Sequence, residues 1–159
     1  MNSKLRFGIL LAIIAVFGSI GLSQKTLSPE EILAQVNHDR AKIGLAHLTL
    51  NETLNLAALA KAQDMLANNY FAHTSPAGTT PWEWFKSMGY NYSYAGENLA
   101  EGYTDARDLE NSWMSSPAHR ANILSPYYSD VGVAIVSFNN TNLVVQMFGS
   151  LDHKLTLNQ

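Results

Sequence analysis

Asp130-Val131-Gly132-Val133-Ala134-Ile135-Val136-Ser137-Phe138-Asn139-Asn140-Thr141-Asn142-Leu143-Val144-Val145-Gln146-Met147-Phe148-Gly149-Ser150 is the stretch that decides the fold class. Two runs rich in β-branched and aromatic residues, Asp130 to Phe138 and Leu143 to Ser150, flank the polar segment Asn139 to Asn142. That layout is a β-hairpin signal, and a hairpin joins antiparallel strands. No glycine-rich strand-to-helix motif of a parallel doubly wound sheet occurs in the chain. Helical segments precede the hairpin, so the class is α+β, a sandwich of helices on a sheet.

Working back toward the N-terminus, Ser116-Pro117 opens a short helix through Ile123, and Asp105 to Ser115 forms the helix before it. Tyr90 to Ala95 has strand composition with alternating aromatics. Pro81 to Met88 reads as a short helix closed by Gly89, and polar Asn69 to Thr80 as a loop. Asn51 caps a helix reaching about Asn69, in which Leu54, Ala57, Ala58, Lys61, Met65 and Leu66 keep the helical period. A short extended piece, His47 to Leu50, precedes it. The first helix starts at Ser28-Pro29-Glu30-Glu31, where Ser28 caps, Pro29 suits the first position and Glu31 completes a capping box. Ile32, Leu33, Val36 and Ile43 continue its apolar stripe until Gly44 stops it.

The 159 residues suit one domain. Lys4 and Arg6 precede an uncharged run of 16 residues, Phe7 to Leu22, with Gly21 and Ser23 at −3 and −1 of a cut before Gln24. This is the layout of a secretory signal peptide. The alternative is an N-terminal membrane anchor, since the run approaches the ~20 residues that span a bilayer. Either reading places the remainder outside the cell, secreted or tethered at the surface by residues 5–22. The expected organisation is residues 1–23 as signal peptide or anchor, 28–151 as the domain and 152–159 as a short tail. Removing residues 1–23 takes two positive charges and no negative one, so the net charge falls from −3 to −5. Without a basic run, a nucleic-acid footprint is excluded. With no cysteine, disulfides, thiolate metal sites, a cysteine nucleophile and a lipobox-type anchor are excluded as well.

What remains for chemistry is histidine, carboxylate and serine. His38 in the first helix, His47 beside the extended piece and His153 near the C-terminus read as structural or solvated. His73 stands in a loop of small residues, and His119 lies in the first turn of a short helix with Asn122 and Ile123 one turn on. Glu97 sits among apolar and small neighbours in Ala95-Gly96-Glu97-Asn98-Leu99-Ala100, where a partly buried carboxylate needs a partner. Two imidazoles and a carboxylate from separate loops are what an open metal site with spare positions requires.

These segments in this order resemble the CAP superfamily, the group of the cysteine-rich secretory and plant pathogenesis-related proteins, and in particular its bacterial branch. The matching stretches are Val36-Asn37 with Arg40, Phe71-Ala72-His73-Thr74-Ser75-Pro76, Gly96-Glu97-Asn98-Leu99-Ala100, Trp113-Met114-Ser115-Ser116-Pro117-Ala118-His119-Arg120-Ala121-Asn122-Ile123-Leu124, and Asp130-Val131-Gly132-Val133. The resemblance implies a three-layer α-β-α sandwich of the CAP (SCP) type with a mainly antiparallel central sheet. It also implies a cleft of two histidines and two acids that in some members holds zinc or another divalent cation. His73, His119 and Glu97 match three of those positions, with Asn98, Ser116 and Asn122 as supports of the cleft. Ser116 occupies the second acidic position, and Glu110, one turn before Trp113, is the residue that could replace it.

Two functions follow from the resemblance. One is an extracellular binding module for a lipid, a cell-wall polymer or a protein, with Tyr70, Phe71, Trp82, Trp84, Tyr92 and Tyr94 near the cleft. The other is a metal-assisted, peptidase-like hydrolase in which His73 and His119 hold the ion and Glu97 serves as base. Ser75 and Ser116 lie near the histidines, but neither sits in a nucleophile-elbow pattern. A hydrogen-bonded network of His73, Glu97 and His119 without an ion is the structural alternative.

Overall fold

The computed structural model describes residues 27–151. The segment read as signal peptide or anchor, the tail and His153 lie outside the described residues. Nine elements follow in order: α1 (Pro29–Lys42), β1 (Thr49–Leu50), α2 (Glu52–Ala67), α3 (Pro81–Ser87), β2 (Tyr92–Glu101), α4 (Ala106–Ser115), α5 (Pro117–Ile123), β3 (Asp130–Phe138) and β4 (Thr141–Leu151).

The Ser28 and Asn51 caps form, without the return bond from Glu31 that a capping box adds. The Ser28 hydroxyl accepts from the Glu31 N–H, and the Asn51 side chain accepts from the Leu54 N–H, each satisfying a donor that a helix start leaves open. Between β3 and β4 only Asn139 and Asn140 turn, with φ of 45° and 63°. Two consecutive residues at positive φ give the tight hairpin turn whose twist matches that of the strands, and asparagine tolerates that conformation. The turn is therefore two residues long, and β4 already begins at Thr141.

The sheet order is β1-β3-β4-β2. β3 pairs with β4 and β4 with β2 in antiparallel fashion, while β1 pairs with β3 in parallel through Thr49 and Leu50. The sheet is mixed, as β1 arrives from α1 along the direction of β3. Strand alternation sends Val131, Val133, Val144, Phe148 and Ala100 to one face, where they bury against Ile32 and Val36 of α1, Leu109 and Trp113 of α4 and Ile123 of α5. Ala134, Leu143, Val145, Met147 and Leu99 point to the opposite face and pack on Leu54, Ala57, Ala58, Ala62 and Met65 of α2 and on Phe85 of α3. Helices thus cover both faces, giving the expected α-β-α layering.

Three details depart from the sequence reading. Ile43 is exposed and caps the end of α1 instead of extending its buried stripe, because the helix stops at Lys42 and Gly44 turns the chain at φ 74°. His47 lies outside β1. Most consequentially, β2 runs on through Gly96-Glu97-Asn98 to Glu101, so Glu97 stands on a strand and not in a loop.

Arg40 fixes the far end of the α5 layer. Its buried guanidinium donates to the carbonyls of Ala46 (2.9 Å), Ile123 (2.8 Å) and Ser125 (2.8 Å), which places a positive charge on the last carbonyls of α5.

Candidate functional site

β2 is an edge strand, and the site is built across it. Residues of one parity, Gly96 and Asn98, face α4 and α5, whereas Glu97 shares the face of Leu99 and α2. The outward carbonyls of the strand are closed by side chains: the Tyr128 hydroxyl donates to Ala95 (3.0 Å), the Asn122 amide to Glu97 (3.0 Å) and the Trp113 indole N–H to Leu99 (3.2 Å). The edge is thereby protected against pairing with another chain. A side chain on Gly96 would meet the Tyr128 hydroxyl at 2.5 Å and Asn122 Oδ1 at 2.9 Å, so glycine is what allows this closure.

Behind the edge lies a buried amide chain. Asn122 Nδ2 donates to Asn98 Oδ1 (2.9 Å), and Asn98 Nδ2 donates to Gln146 Oε1 (3.1 Å) and to the His119 carbonyl (3.3 Å). Asn98 on β2 and Asn122 on α5 are thus joined side chain to side chain. They hold α5 against β2 through the His119 backbone, not through its ring.

His73 and Glu97 meet. His73 Nδ1 lies 2.6 Å from Glu97 Oε1, with the Glu97 side chain 1% and the His73 side chain 57% exposed. The second carboxyl oxygen of Glu97, Oε2, is buried without a hydrogen-bond partner. Burial raises the Glu97 pKa and the His73 bond opposes that, while the bond to Glu97 raises the pKa of His73. Both groups therefore hold protons more readily than free side chains do, as a pair sharing one proton does. These residues line a cleft of about 350 Å³ together with Thr74, Thr80, Trp82 and Asn122.

Lys61 is the residue the sequence reading passed over as one more position on the α2 stripe. It is fully buried, and its ammonium donates to the carbonyls of Ala72 (3.0 Å) and His73 (2.6 Å) and to the Tyr70 hydroxyl (3.4 Å). Burial lowers its pKa, and the charges of Glu97 and Asp64 act in the opposite sense. Tyr70 in turn donates to Asp64 at 2.5 Å. Lys61 thus ties the loop that carries His73 to α2. A charged residue inside an otherwise apolar helical stripe was the signal available in the sequence. Replacing Lys61 by methionine keeps the volume and removes the three donors. The expected result is a loss of about 1–3 kcal/mol in urea denaturation and faster limited proteolysis within residues 70–79.

The other expected site residues fall outside the dyad. His119 is partly exposed beside Trp113, at 6.5 Å between ring centroids, and its pKa is lowered by burial and by the nearby His73. It does not belong to the cleft lining. Ser116 precedes α5 without a side-chain capping bond, and Ser75 accepts from the Thr79 N–H at 3.0 Å, a turn contact. Glu110 does not replace the missing second acid: it is buried on α4 toward α1, where Asp39 and Lys42 are the charges that act on it. Of the aromatics, Trp82 lines the cleft, whereas Tyr70, Trp84 and Tyr92 pack on the α2 side of the core and Phe71 is exposed beyond it.

Among the described residues, no three histidine, aspartate or glutamate side chains are arranged to hold a metal ion. Glu97 Oε1 holds His73 at Nδ1, which leaves the ring's Nε2 open, and Ser116 offers no carboxylate.

Comparison with known proteins gives a consistent picture. The model of the cysteine-rich secretory protein family, CAP, matches residues 33–148. An uncharacterized Bacillus subtilis protein, YkwD, is 41% identical over 107 residues, covering 67% of this chain and 42% of the relative, so the chain spans less than half of that protein's length. An outer surface protein of Borrelia burgdorferi shares the fold with a TM-score of 0.72 at 24% identity, over 77% of this chain and 92% of that one. An extracellular Bacillus anthracis protein containing an SCP domain superposes with a TM-score of 0.65 at 26% identity, over 76% of this chain and 39% of that one. A crystal structure of NaASP2 with Zn2+ shares the fold at a TM-score of 0.55 and 12% identity, over 83% of each chain.

Proposed function

The chain belongs to the CAP family of cysteine-rich secretory proteins, and from that premise we propose that its domain is an extracellular binding module whose ligand hydrogen-bonds to the His73–Glu97 pair. The observation behind this reading is Glu97 Oε2, a carboxyl oxygen buried without a partner in the wall of an open cleft. An unpartnered buried acceptor costs about 1–3 kcal/mol, and a ligand donor would recover part of that. The exposed imidazole edge of His73 offers a second polar contact. The extracellular placement rests on the signal-like N-terminus and on the outer-surface and extracellular descriptions of the B. burgdorferi and B. anthracis proteins.

The test is co-sedimentation of the purified full-length chain with isolated bacterial cell envelopes, beside Glu97→Gln and His73→Ala. The wild type is expected to pellet and both variants to remain largely soluble, with circular dichroism unchanged and with added Zn2+ making no difference. Equal pelleting of all three, or pelleting of none, overturns the assignment of the pair as the binding site.

A further inference from the structure

The closure of the β2 edge is one-sided. In an antiparallel ladder both backbone groups of a residue face the same neighbour. The carbonyls of Ala95 and Glu97 point away from β4, toward Tyr128 and Asn122, so the N–H groups of these residues point away from β4 as well. The two carbonyls are capped, whereas among the described residues no hydrogen bond engages the Ala95 or the Glu97 N–H. Both residues line the cleft, on either side of Gly96. Alternate residues of a strand stand about 7 Å apart. The wall of the cleft therefore carries two amide donors at that spacing and no free acceptor on the strand. Trp82, 38% exposed, lines the same cleft and is propped from behind by Phe85 at 6.0 Å and Tyr92 at 6.3 Å between centroids.

An ordinary strand cannot use this wall, because its N–H groups would meet carbonyls that are already bonded. A chain that accepts without donating can. Proline has a backbone carbonyl and no N–H. In an extended chain, prolines at every second position bring their carbonyls to one edge and their rings to one face. A residue placed opposite Glu97 shares the Glu97 face of the sheet. That is the α2 face, to which Phe85 and Tyr92, the supports of Trp82, also belong. An exposed aromatic ring is the surface on which proline-rich segments dock. A small anion also accepts without donating, but the net charge of −5 without residues 1–23 disfavours one. Resting on the binding-module reading above, we infer that the cleft binds an extended peptide segment with proline at alternate positions. Its proline carbonyls accept from the Ala95 and Glu97 N–H groups, and a proline ring lies on Trp82.

The experiment titrates the full-length chain by calorimetry with a capped decapeptide of alternating proline and serine. The control is the alternating alanine–serine decapeptide, which restores an N–H at every proline position. Trp82→Ala removes the exposed ring. Ala95→Pro removes one amide donor at a place where an edge strand tolerates proline, since the nitrogen faces outward. Denaturation curves for both variants establish that the fold is intact. Saturable binding of the proline peptide is expected, with the alanine peptide about tenfold weaker or more and each variant weakened about fivefold or more. Equal affinity for the two peptides, or undiminished binding by a folded Ala95→Pro, overturns the assignment. So does absence of saturation by the proline peptide at about 10 mM. If envelope co-sedimentation dependent on Glu97 persists in that case, the binding-module reading stands and only the ligand class fails. Saturable binding of the β-1,4-linked N-acetylglucosamine hexamer in place of the proline peptide also overturns the inference, in favour of a glycan.

Discussion

Replacing Gly132 by alanine is expected to destabilise the domain by about 3 kcal/mol or more, a larger effect than most single substitutions have. Gly132 lies in β3 on the face that α2 covers. A Cβ there would stand 2.2 Å from the Leu54 carbonyl carbon and 2.4 Å from its oxygen. Those atoms are backbone within the first turn of α2, so no rotamer change relieves the contact and the helix itself must move. The same turn is held to the sheet by the Val133 N–H, which donates to Asn55 Oδ1 at 2.9 Å. A displaced α2 therefore loses that bond, opens the packing of Leu54, Ala57 and Ala58, and shifts Lys61 away from the loop that carries His73. Urea denaturation should show a lower midpoint with an unchanged slope, and envelope binding should weaken in parallel. A change below about 1 kcal/mol would mean that α2 and β3 do not approach as closely as described.

The legibility of this fold followed the range over which each signal acts. Caps and turns are local: Ser28, Asn51 and the Asn139–Asn140 turn depend on neighbours within a few residues, and they read correctly. β2 was cut short at Ala95 because Glu97 and Asn98 look like loop residues when the strand is read alone. Both are buried on that strand only because their partners come from elsewhere, His73 and Asn122 each 24 residues away and Gln146 at 48. The parallel pairing of β1 with β3 and the role of Lys61 are equally non-local. The family resemblance supplied His73, Glu97 and His119; the structure joins the first two directly, while the His119 carbonyl accepts from Asn98 and its ring feels the charge of His73. Glu110 is a different case. Ala106, Leu109, Glu110 and Trp113 form one buried helical stripe, whereas a glutamate on a helix face is expected in solvent when the helix is read alone, and the absence of a hydrogen-bond partner is equally non-local.

That absence makes Glu110 the source of the second large effect. Both carboxyl oxygens are buried without hydrogen-bond partners, and the side chain's pKa is pushed up to about 8, first by burial, then by the Asp39 charge, with Lys42 opposing. In the folded chain the group is therefore neutral at pH 7, whereas in the unfolded chain it ionises near its ordinary value of 4.5. Below pH 4.5 both states hold the proton and nothing is lost. Between 4.5 and 8 the unfolded state releases its proton while the folded state keeps it, so stability falls as pH rises, by up to about 1.4 kcal/mol per unit. Above about pH 8 the loss levels off. Glu110→Gln keeps the size and polarity of the neutral form and removes the titration. The variant is expected to match the wild type near pH 4.5 and to exceed it by on the order of 3 to 5 kcal/mol at pH 8.5. Urea midpoints measured from pH 4.5 to 8.5 would show the wild-type curve descending and the variant curve lacking that component. Parallel curves would mean that Glu110 finds a partner in solution. The descent would also place a penalty on the α1–α4 contact in mildly alkaline surroundings, while leaving the His73–Glu97 cleft on the opposite side of β2 untouched.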